Sequence, residues 1–352
     1  MLKLKYASKR NWRYVATITI CGMVFGMILA MIQSNQISLR KAANGALDAF
    51  FMAGSTSFYH MFIFNGYLHE RARKLTFLGV LLLNSSIYVI LLILGRTIGG
   101  LLSGYLSSWQ SIKDDPFWLQ TIVIAAILAL VINFILQLEM LIGRGELYRF
   151  ISGRYHRPLQ EERVFLFLDL VSSTSIAEEI GDKKFLDLLD TFYSHMTESI
   201  LQTQACIYKY VGDEIILSWL PKKAARHANC LRFPILFQQE LESRKEFYQE
   251  HFGLFPRFRA AVHAGSVITG EMGELKKEIV YLGDVLNTTA RVTELCRTLK
   301  QTVLVTQEVL DMTQYKDLSS STGLYLEDMG EHELRGKEGQ VRVYAVDPAP
   351  NE

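Results

Sequence analysis

The chain carries almost no net charge and contains few cysteines. Its 37 lysine and arginine residues balance 36 aspartate and glutamate residues over 352 positions. The overall charge therefore gives no support for a nucleic-acid partner. The four cysteines, Cys21, Cys206, Cys230 and Cys296, show no CxxC spacing. The spacing that they do have indicates neither a zinc site nor a disulfide framework. Reduced thiols in or facing the cytoplasm are the simpler interpretation.

The chain also lacks a convincing signal peptide, because no clear small-residue cleavage site follows the first apolar run and three more runs come after it. The composition changes near residue 144, from long apolar runs to the pattern of an ordinary soluble α/β or α+β domain. The length is sufficient for two domains. We predict a membrane anchor or sensor over 1–143, a cytoplasmic connector over 144–160 and a folded domain over 161–348.

The first region contains four apolar segments, each near the ~20 residues that a bilayer core requires. These predicted transmembrane helices cover roughly 14–32, 46–68, 75–100 and 117–142. Basic residues cluster before the first span, between the second and third, and after the fourth. The positive-inside rule then places both termini in the cytoplasm of a multi-pass protein of the cell (inner) membrane, in contact with the lipid bilayer. Arg40 and Lys41, after the first span, are a mild contradiction.

The second span is the least apolar and holds Asp48, Ser55, Thr56, Ser57 and His60. Polar groups at this depth usually face other helices or a cavity. We expect hydrogen bonds between helices, and a ligand or ion sensor is the functional alternative. Haem binding by His60 is disfavoured, because no second histidine is evident inside the spans. The connector predicts a short amphipathic helix, either as a spacer or as a signal-transmitting element.

Two aspartates follow short apolar strands in the second half of the chain. Asp169 ends the run VFLFL, and Asp213 closes the run IYKYV after one glycine. Two carboxylates at adjacent strand ends suit a pair of magnesium ions on a nucleoside triphosphate. Ser172, Ser173 and Thr174 come next, at a strand-to-helix turn. Such residues cap helices, and the backbone N–H groups there also form a phosphate cradle.

Four further polar residues stand where an anion could be bound. Strand alternation puts Lys209 on the same face as Asp213, where a lysine needs an anion or an acceptor unless the face is exposed. Asn287 and Arg291 lie four apart on a predicted helix, so they project from one face, which could bind phosphate or simply be solvated. Lys337 lies in a basic glycine loop, either a phosphate contact or an ordinary hairpin turn.

Five motifs together resemble the class III nucleotidyl cyclase domain over about 160–347. In chain order they are FLDLVSSTS, YKYVGDEIILSW, AAVHAGSVITGEMG, LGDVLNTTARV and LRGKEGQVRVYAV. The resemblance implies an α+β, ferredoxin-like catalytic domain that works as a head-to-tail homodimer. It also implies an adenylate cyclase, a lyase that converts ATP to 3′,5′-cyclic AMP and pyrophosphate.

The resemblance assigns roles residue by residue. Asp169 and Asp213 match the aspartates that hold two Mg²⁺ (or Mn²⁺) ions per active site. Asn287 and Arg291 match the transition-state pair. In such dimers the metal aspartates come from one subunit, and the residues matching Asn287, Arg291, Lys209 and Lys337 come from the other. Two lysines also match family positions. Lys209 matches the purine-reading lysine, and Lys337 matches the triphosphate-binding lysine.

One position departs from the family pattern. The second purine-reading position, counted back from Asn287, is Val280, where adenylate cyclases usually have aspartate or threonine. Valine cannot accept the amino proton of adenine. Glu278 shares a strand face with Val280 but lies two residues from the matching position, so it receives no role. Lys209 still favours ATP, since guanylate cyclases usually carry a glutamate at that position.

Three alternatives remain open from the sequence. The first is a guanylate cyclase that makes cyclic GMP. The second is a non-catalytic nucleotide-binding membrane receptor, against which the intact Asp169, Asp213, Asn287 and Arg291 count. A diguanylate cyclase is more distant, because its Gly-Gly-Asp/Glu-Glu-Phe signature is absent.

Overall fold

The structure is a computed structural model, and it describes most of the chain. The described residues are 2–34, 38–67, 75–103, 118–143, 146–315, 323–337 and 339–348. Contacts divide the chain into two compact units, Met1–Gly143 and Arg144–Glu352, which are described separately below.

The first unit consists of long helices. They are α1 (Leu2–Ser34), α2 (Leu39–Phe58) with a π-helical continuation over Tyr59–Tyr67, α3 (Phe77–Leu102) and α4 (Trp118–Ile142). Within the described residues, three segments are long and apolar enough to cross a membrane: Asn11–Ile32, Phe77–Leu102 and Ile122–Glu139. The second predicted span, 46–68, is helical as far as residue 67 but is not among these three, because its polar side chains lower its hydropathy. Its membrane crossing stays a prediction.

The polar side chains of α2 divide into two kinds. The hydroxyls of Ser55, Thr56 and Ser57 donate to backbone carbonyls one turn earlier on their own helix, so the expected inter-helix bonds are not what these residues form. Asp48 instead pairs with Arg96 of α3. His60 Nδ1 lies 2.7 Å from the hydroxyl oxygen of Tyr88, also on α3. The acid and the histidine therefore join the two helices.

The second unit is an eight-stranded mixed sheet with helices packed on it. Its strands are β1 (Leu159–Leu170), β2 (Cys206–Val211), β3 (Glu214–Trp219), β4 (Phe258–Met272), β5 (Glu278–Leu282), β6 (Val303–Thr306), β7 (Leu324–Glu333) and β8 (Gln340–Pro348). The strand order is β2-β3-β1-β4-β6-β8-β7, and β5 pairs with β4. The β4–β6 pair is parallel, and the other pairs are antiparallel.

The helices of this unit cover the sheet between its strands. They are α5 (Glu146–Ile151), α6 (Ser173–Ile180), α7 (Asp182–His195), α8 (Thr197–Thr203), α9 (Pro221–Ala225), α10 (Asn229–Glu242), α11 (Lys245–Phe252), α12 (Asp284–Leu299) and α13 (Gln307–Thr313). A short 3₁₀ turn, Arg226–Ala228, joins α9 to α10. The described part of the predicted connector thus contains one short helix, α5.

The continuous apolar run of β1 is explained by its central place in the sheet. β1 lies between β3 and β4, and its side chains from Val164 to Leu168 are buried. Leu188 and Phe192 of α7 bury their side chains in the same core, as the helical spacing of their apolar residues predicts. α12 packs against β4 and β1. The sheet therefore fixes the strand ends and the helix that carry the predicted site.

Candidate active site

Asp169 and Asp213 are held together by strand pairing. Asp169 lies opposite Glu214 of β3 on one side and Arg259 of β4 on the other. Gly212 and Asp213 form the two-residue turn between β2 and β3, directly before Glu214. Gly212 has a φ of 64°, a conformation that favours glycine. The turn therefore returns the chain so that the second aspartate reaches the end of β1.

These carboxylates crowd one another. Burial, a hydrogen bond to Asp213 and the charge of Asp213 together raise the pKa of Asp169 to about 6, while Arg259 opposes them. Burial also raises the pKa of Glu214 to about 7, with contributions from the charges of Asp169 and Asp213. Half-buried carboxylates that repel one another are stabilised by a bound cation.

The donor set fits magnesium or manganese carried by a nucleotide. Carboxylate oxygens are hard ligands, and Mg²⁺ is commonly held by one or two carboxylates plus substrate phosphates and water. In the part of the chain that the structure describes, no cluster of three or more His, Cys, Asp and Glu side chains forms a metal site by itself. Asp169 and Asp213 would thus share the ions with phosphate oxygens.

The hydroxyl residues after Asp169 lie at the start of α6. Ser172 is the N-cap residue, with a φ of 60°, and its side chain makes no capping hydrogen bond. Helix capping by its side chain therefore does not explain why a serine stands at position 172. Ser172 and Thr174 are exposed and Ser173 is half-buried, so the turn is accessible beside the aspartates.

Lys209 reaches its position through a β-bulge. The pairing of β2 with β3 shifts between Ile207 and Lys209, which leaves Tyr208 as the extra residue. The Tyr208 ring lies 4.7 Å from the Tyr281 ring, and its hydroxyl accepts from the Tyr281 backbone N–H. β2 ends at Val211 and Asp213 lies in the following turn, so the predicted alternation that puts Lys209 and Asp213 on one face is wrong.

The Lys209 ammonium group faces Glu278 of β5. Its Nζ lies 3.2 Å from Glu278 Oε2, and Lys276 Nζ lies 2.6 Å from the other oxygen of that carboxylate. Val280, two residues further along β5, is half-buried and lies opposite Gly270 of β4. Glu278 has no counterpart among the family's matching positions, and the strand face that it shares with Val280 is the sequence signal that points to it.

The helix α12 gathers the remaining predicted residues. Asn287 is exposed, and the Arg291 guanidinium lies 3.1 Å from Glu294, one turn further along. Lys337 Nζ lies 3.2 Å from Asp284 Oδ2 and donates to Thr288 Oγ1 at 2.9 Å. The glycine loop therefore delivers Lys337 to the helix that carries Asn287 and Arg291, and its partner Thr288 is buried.

The predicted residues form separate groups within one chain. One group is the aspartate pair, and a second is Lys209 with Glu278. The third consists of Asn287 and Arg291 on α12 with Lys337, which contacts that helix from the glycine loop. Among the residues that the structure describes, no hydrogen bond or ion pair joins the aspartate pair to Lys209, Asn287, Arg291 or Lys337.

Comparison with known proteins decides the family. Residues 157–348 match the adenylate and guanylate cyclase catalytic domain. The chain belongs to the class III cyclase family. The cyclase is 33% identical over 304 residues to adenylate cyclase 2 of Rhizobium meliloti (strain 1021), which covers 86% of this chain and 82% of that protein. The resemblance stated from the five motifs is thereby confirmed, and the cyclase is an adenylate cyclase homologue.

More distant relatives match part of the chain. The receptor-type guanylate cyclase gcy-28 of Caenorhabditis elegans is 25% identical over 180 residues, which is 51% of this chain and 13% of that protein. The solved structure of a bacterial light-regulated adenylyl cyclase aligns with a TM-score of 0.52 and 20% identity, over 67% of this chain and 68% of that one. This likeness supports the catalytic-domain fold with its mixed sheet.

Proposed function

We propose that the protein is a membrane-bound adenylate cyclase that converts ATP to 3′,5′-cyclic AMP and pyrophosphate. The observation that carries this proposal is the crowded pair Asp169 and Asp213 at the end of β1, a donor set suited to metal-bound triphosphate. The Rhizobium meliloti relative, named adenylate cyclase 2, supports ATP as the substrate. Two Mg²⁺ or Mn²⁺ ions per site are part of the proposal.

In the proposed reaction the ribose 3′-hydroxyl attacks the α-phosphorus and pyrophosphate leaves. Metal ions bound at Asp169 and Asp213 would supply positive charge that lowers the pKa of the hydroxyl and polarises the phosphate. Arg291 offers a planar cation for the charge that builds on the α-phosphate and the leaving oxygen. Asn287 positions the ribose through its amide. Lys337 binds the triphosphate in place of its present partners, Asp284 and Thr288.

The proposed site lies between two copies of the chain. Large apolar side chains are exposed on β2 and on the hairpin formed by β4 and β5, an arrangement that suits association. They are Ile207, Tyr210, Val211, Ile268, Met272 and Leu282. A symmetric homodimer in which one copy supplies the aspartates and the other supplies Asn287 and Arg291 would contain two sites.

The membrane part of the proposal rests on the apolar helices. Three described segments have the length and hydropathy of membrane spans, and basic residues flank the predicted spans on one side. We place the protein in the inner membrane with the cyclase domain in the cytoplasm, where ATP is present. The span over 46–68 completes an even number of crossings.

The test is turnover by the purified full-length protein in detergent with Mn²⁺, with ATP and GTP supplied separately and cyclic products quantified. We expect cyclic AMP from ATP, and no product from the Asp169→Ala variant. Cyclic GMP as the main product would overturn the choice of substrate. Binding of both nucleotides without any product would identify a non-catalytic receptor instead.

A further inference from the structure

The contact between Lys209 and Glu278 joins two parts of the chain that are 69 residues apart. The two side chains are 50% and 37% exposed, so a ligand can reach both. An ion pair this exposed adds little to stability. The packing that fixes the two strands comes instead from Tyr208 and Tyr281, whose rings meet edge to face. The charged pair is therefore held in place while both side chains, and the exposed Lys276 that also contacts Glu278, stay open to solvent.

The hydrogen-bonding character of the two groups is fixed. Hydrogen bonds and charges from Lys276 and Lys209 lower the pKa of Glu278, so the carboxylate is ionised near neutral pH and only accepts hydrogen bonds. The ammonium group of Lys209 only donates. A donor and an acceptor 3.2 Å apart thus stand side by side on an accessible surface.

We propose that Glu278 is a specificity-determining residue that accepts the 6-amino proton of adenine, next to Lys209, which donates to N1. This inference rests on the proposed function. The 6-amino group and N1 are neighbours on the edge of adenine, so a donor and an acceptor held side by side can bind both. Val280 supplies only an apolar wall there. Glu278 lies two residues before Val280 on the same strand face. It thus provides the hydrogen-bond acceptor that Val280 lacks.

The same arrangement discriminates against guanine. In the same orientation guanine presents its N1–H to the Lys209 donors and its O6 to the Glu278 oxygen. Donor then faces donor and acceptor faces acceptor, and such mismatches are a strong source of specificity. Guanine would fit only after shifting along its edge, with N1–H and the 2-amino group on Glu278 and O6 on Lys209.

The experiment compares ATP with purine riboside 5′-triphosphate, which lacks the 6-amino group, using the full-length protein in detergent. We expect Glu278→Ala to lower kcat/KM for ATP by about 10- to 100-fold, the range for a hydrogen bond to a charged group. With the deamino analogue the substitution should have no effect, because the proton that Glu278 accepts is missing. Glu274→Ala removes the same charge from the exposed turn before β5 and is the matched control, with both substrates unchanged.

Other results would overturn the inference. An equal loss with ATP and the analogue would make Glu278 merely structural, and a selective loss of GTP turnover would mean that it reads guanine. Binding of a non-reactive ATP analogue separates the two proposals. If the protein turns over neither nucleotide but Glu278→Ala weakens this binding, adenine reading stands and the cyclase proposal fails. If ATP is cyclised and Glu278→Ala behaves like Glu274→Ala, the cyclase proposal stands and adenine reading by Glu278 fails.

Discussion

Among single residues, Arg291 has the clearest expected effect on rate. Its guanidinium is half-exposed, and its partner among the described residues is the exposed Glu294. It is therefore available for phosphate. Because we expect its contact to form mainly in the transition state, Arg291→Ala should lower kcat by about 10³-fold and change KM little. Steady-state kinetics with ATP test this, with Arg297→Ala in the last turn of the same helix as control. An unchanged kcat would remove Arg291 from the mechanism.

His263 makes stability depend on pH. Burial in the sheet and the charge of Lys337 together lower its pKa to about 4, against the opposing charges of Glu308 and Asp284. Its Nδ1 lies 2.8 Å from Thr306 Oγ1 and 3.7 Å from Glu308. In the unfolded chain the pKa is near 6.5, so between about pH 6.5 and 4 the unfolded state binds a proton that the folded state does not.

We therefore expect His263 to contribute a loss of stability of up to about 3 kcal/mol as the pH falls through that window. The raised pKa values of Asp169 and Glu214 contribute in the opposite direction, because their folded forms bind protons more tightly. His263→Gln should remove this loss, since its side chain does not titrate. Thermal unfolding of the full-length protein at pH 7 and pH 4.5 measures the effect. His251→Gln, at an exposed position, should keep the pH dependence of the unchanged protein. A His263→Gln variant with the same pH dependence would show that other groups cause it.

At the scale of elements, the contact between α1 and α2 depends on glycine. A Cβ on Gly26 would overlap the carbonyl oxygen of Gly45, so the two backbones touch at this crossing. Gly26→Ala should destabilise the first unit by about 1–3 kcal/mol, the usual range for overpacking. Gly54→Ala is the control, because its added Cβ would lie 3.7 Å from the nearest atom, Thr19 Oγ1. A lower melting temperature for Gly26→Ala alone is the expected result; equal values would contradict the close approach.

The elements also show how far sequence reasoning reaches. The apolar run of β1 and the glycine turn before Glu214 are local signals, and they predict where Asp169 and Asp213 stand. The bulge at Tyr208 has no such local signal, and its ring packs against Tyr281, which is distant in the sequence. For the same reason the meeting of Lys209 with Glu278 could not be read from strand alternation.

The burial of Arg163 could not be predicted from the sequence, for a related reason. Arg163, directly before the apolar run of β1, is fully buried. Its guanidinium donates to Glu161 at 2.7 Å and to the Tyr155 hydroxyl at 3.1 Å, and it lies 4.6 Å from the Tyr281 ring centre. These partners come from the connector, from β1 and from β5. Composition alone predicts an exposed arginine, and only the assembled sheet supplies the partners that allow its burial.

For the whole molecule, the shared site predicts rescue between two inactive variants. Asp213→Ala and Arg291→Ala protomers each spoil both sites of their own homodimer. A mixed dimer keeps one intact site, with the aspartates from one copy and Arg291 from the other. Random mixing should therefore restore about a quarter of the normal activity, since half of the dimers are mixed. Cyclic AMP formation by co-expressed variants measures this, and a mixture as inactive as its components would exclude the shared site.

The turn between β4 and β5 has one more consequence, for cleavage by proteases. Lys276 and Lys277 stand there with side chains 81% and 58% exposed, beside the exposed Leu275. Trypsin cuts after lysine, and exposed loop tips are its preferred targets. A cut at this turn would break the covalent link between β4 and β5, the strand that carries Glu278, while the hydrogen bonds between the two strands remain. If a second copy covers this turn, dilution should speed the cut and nucleotide should slow it, so the rate of nicking would report how often the two copies are apart.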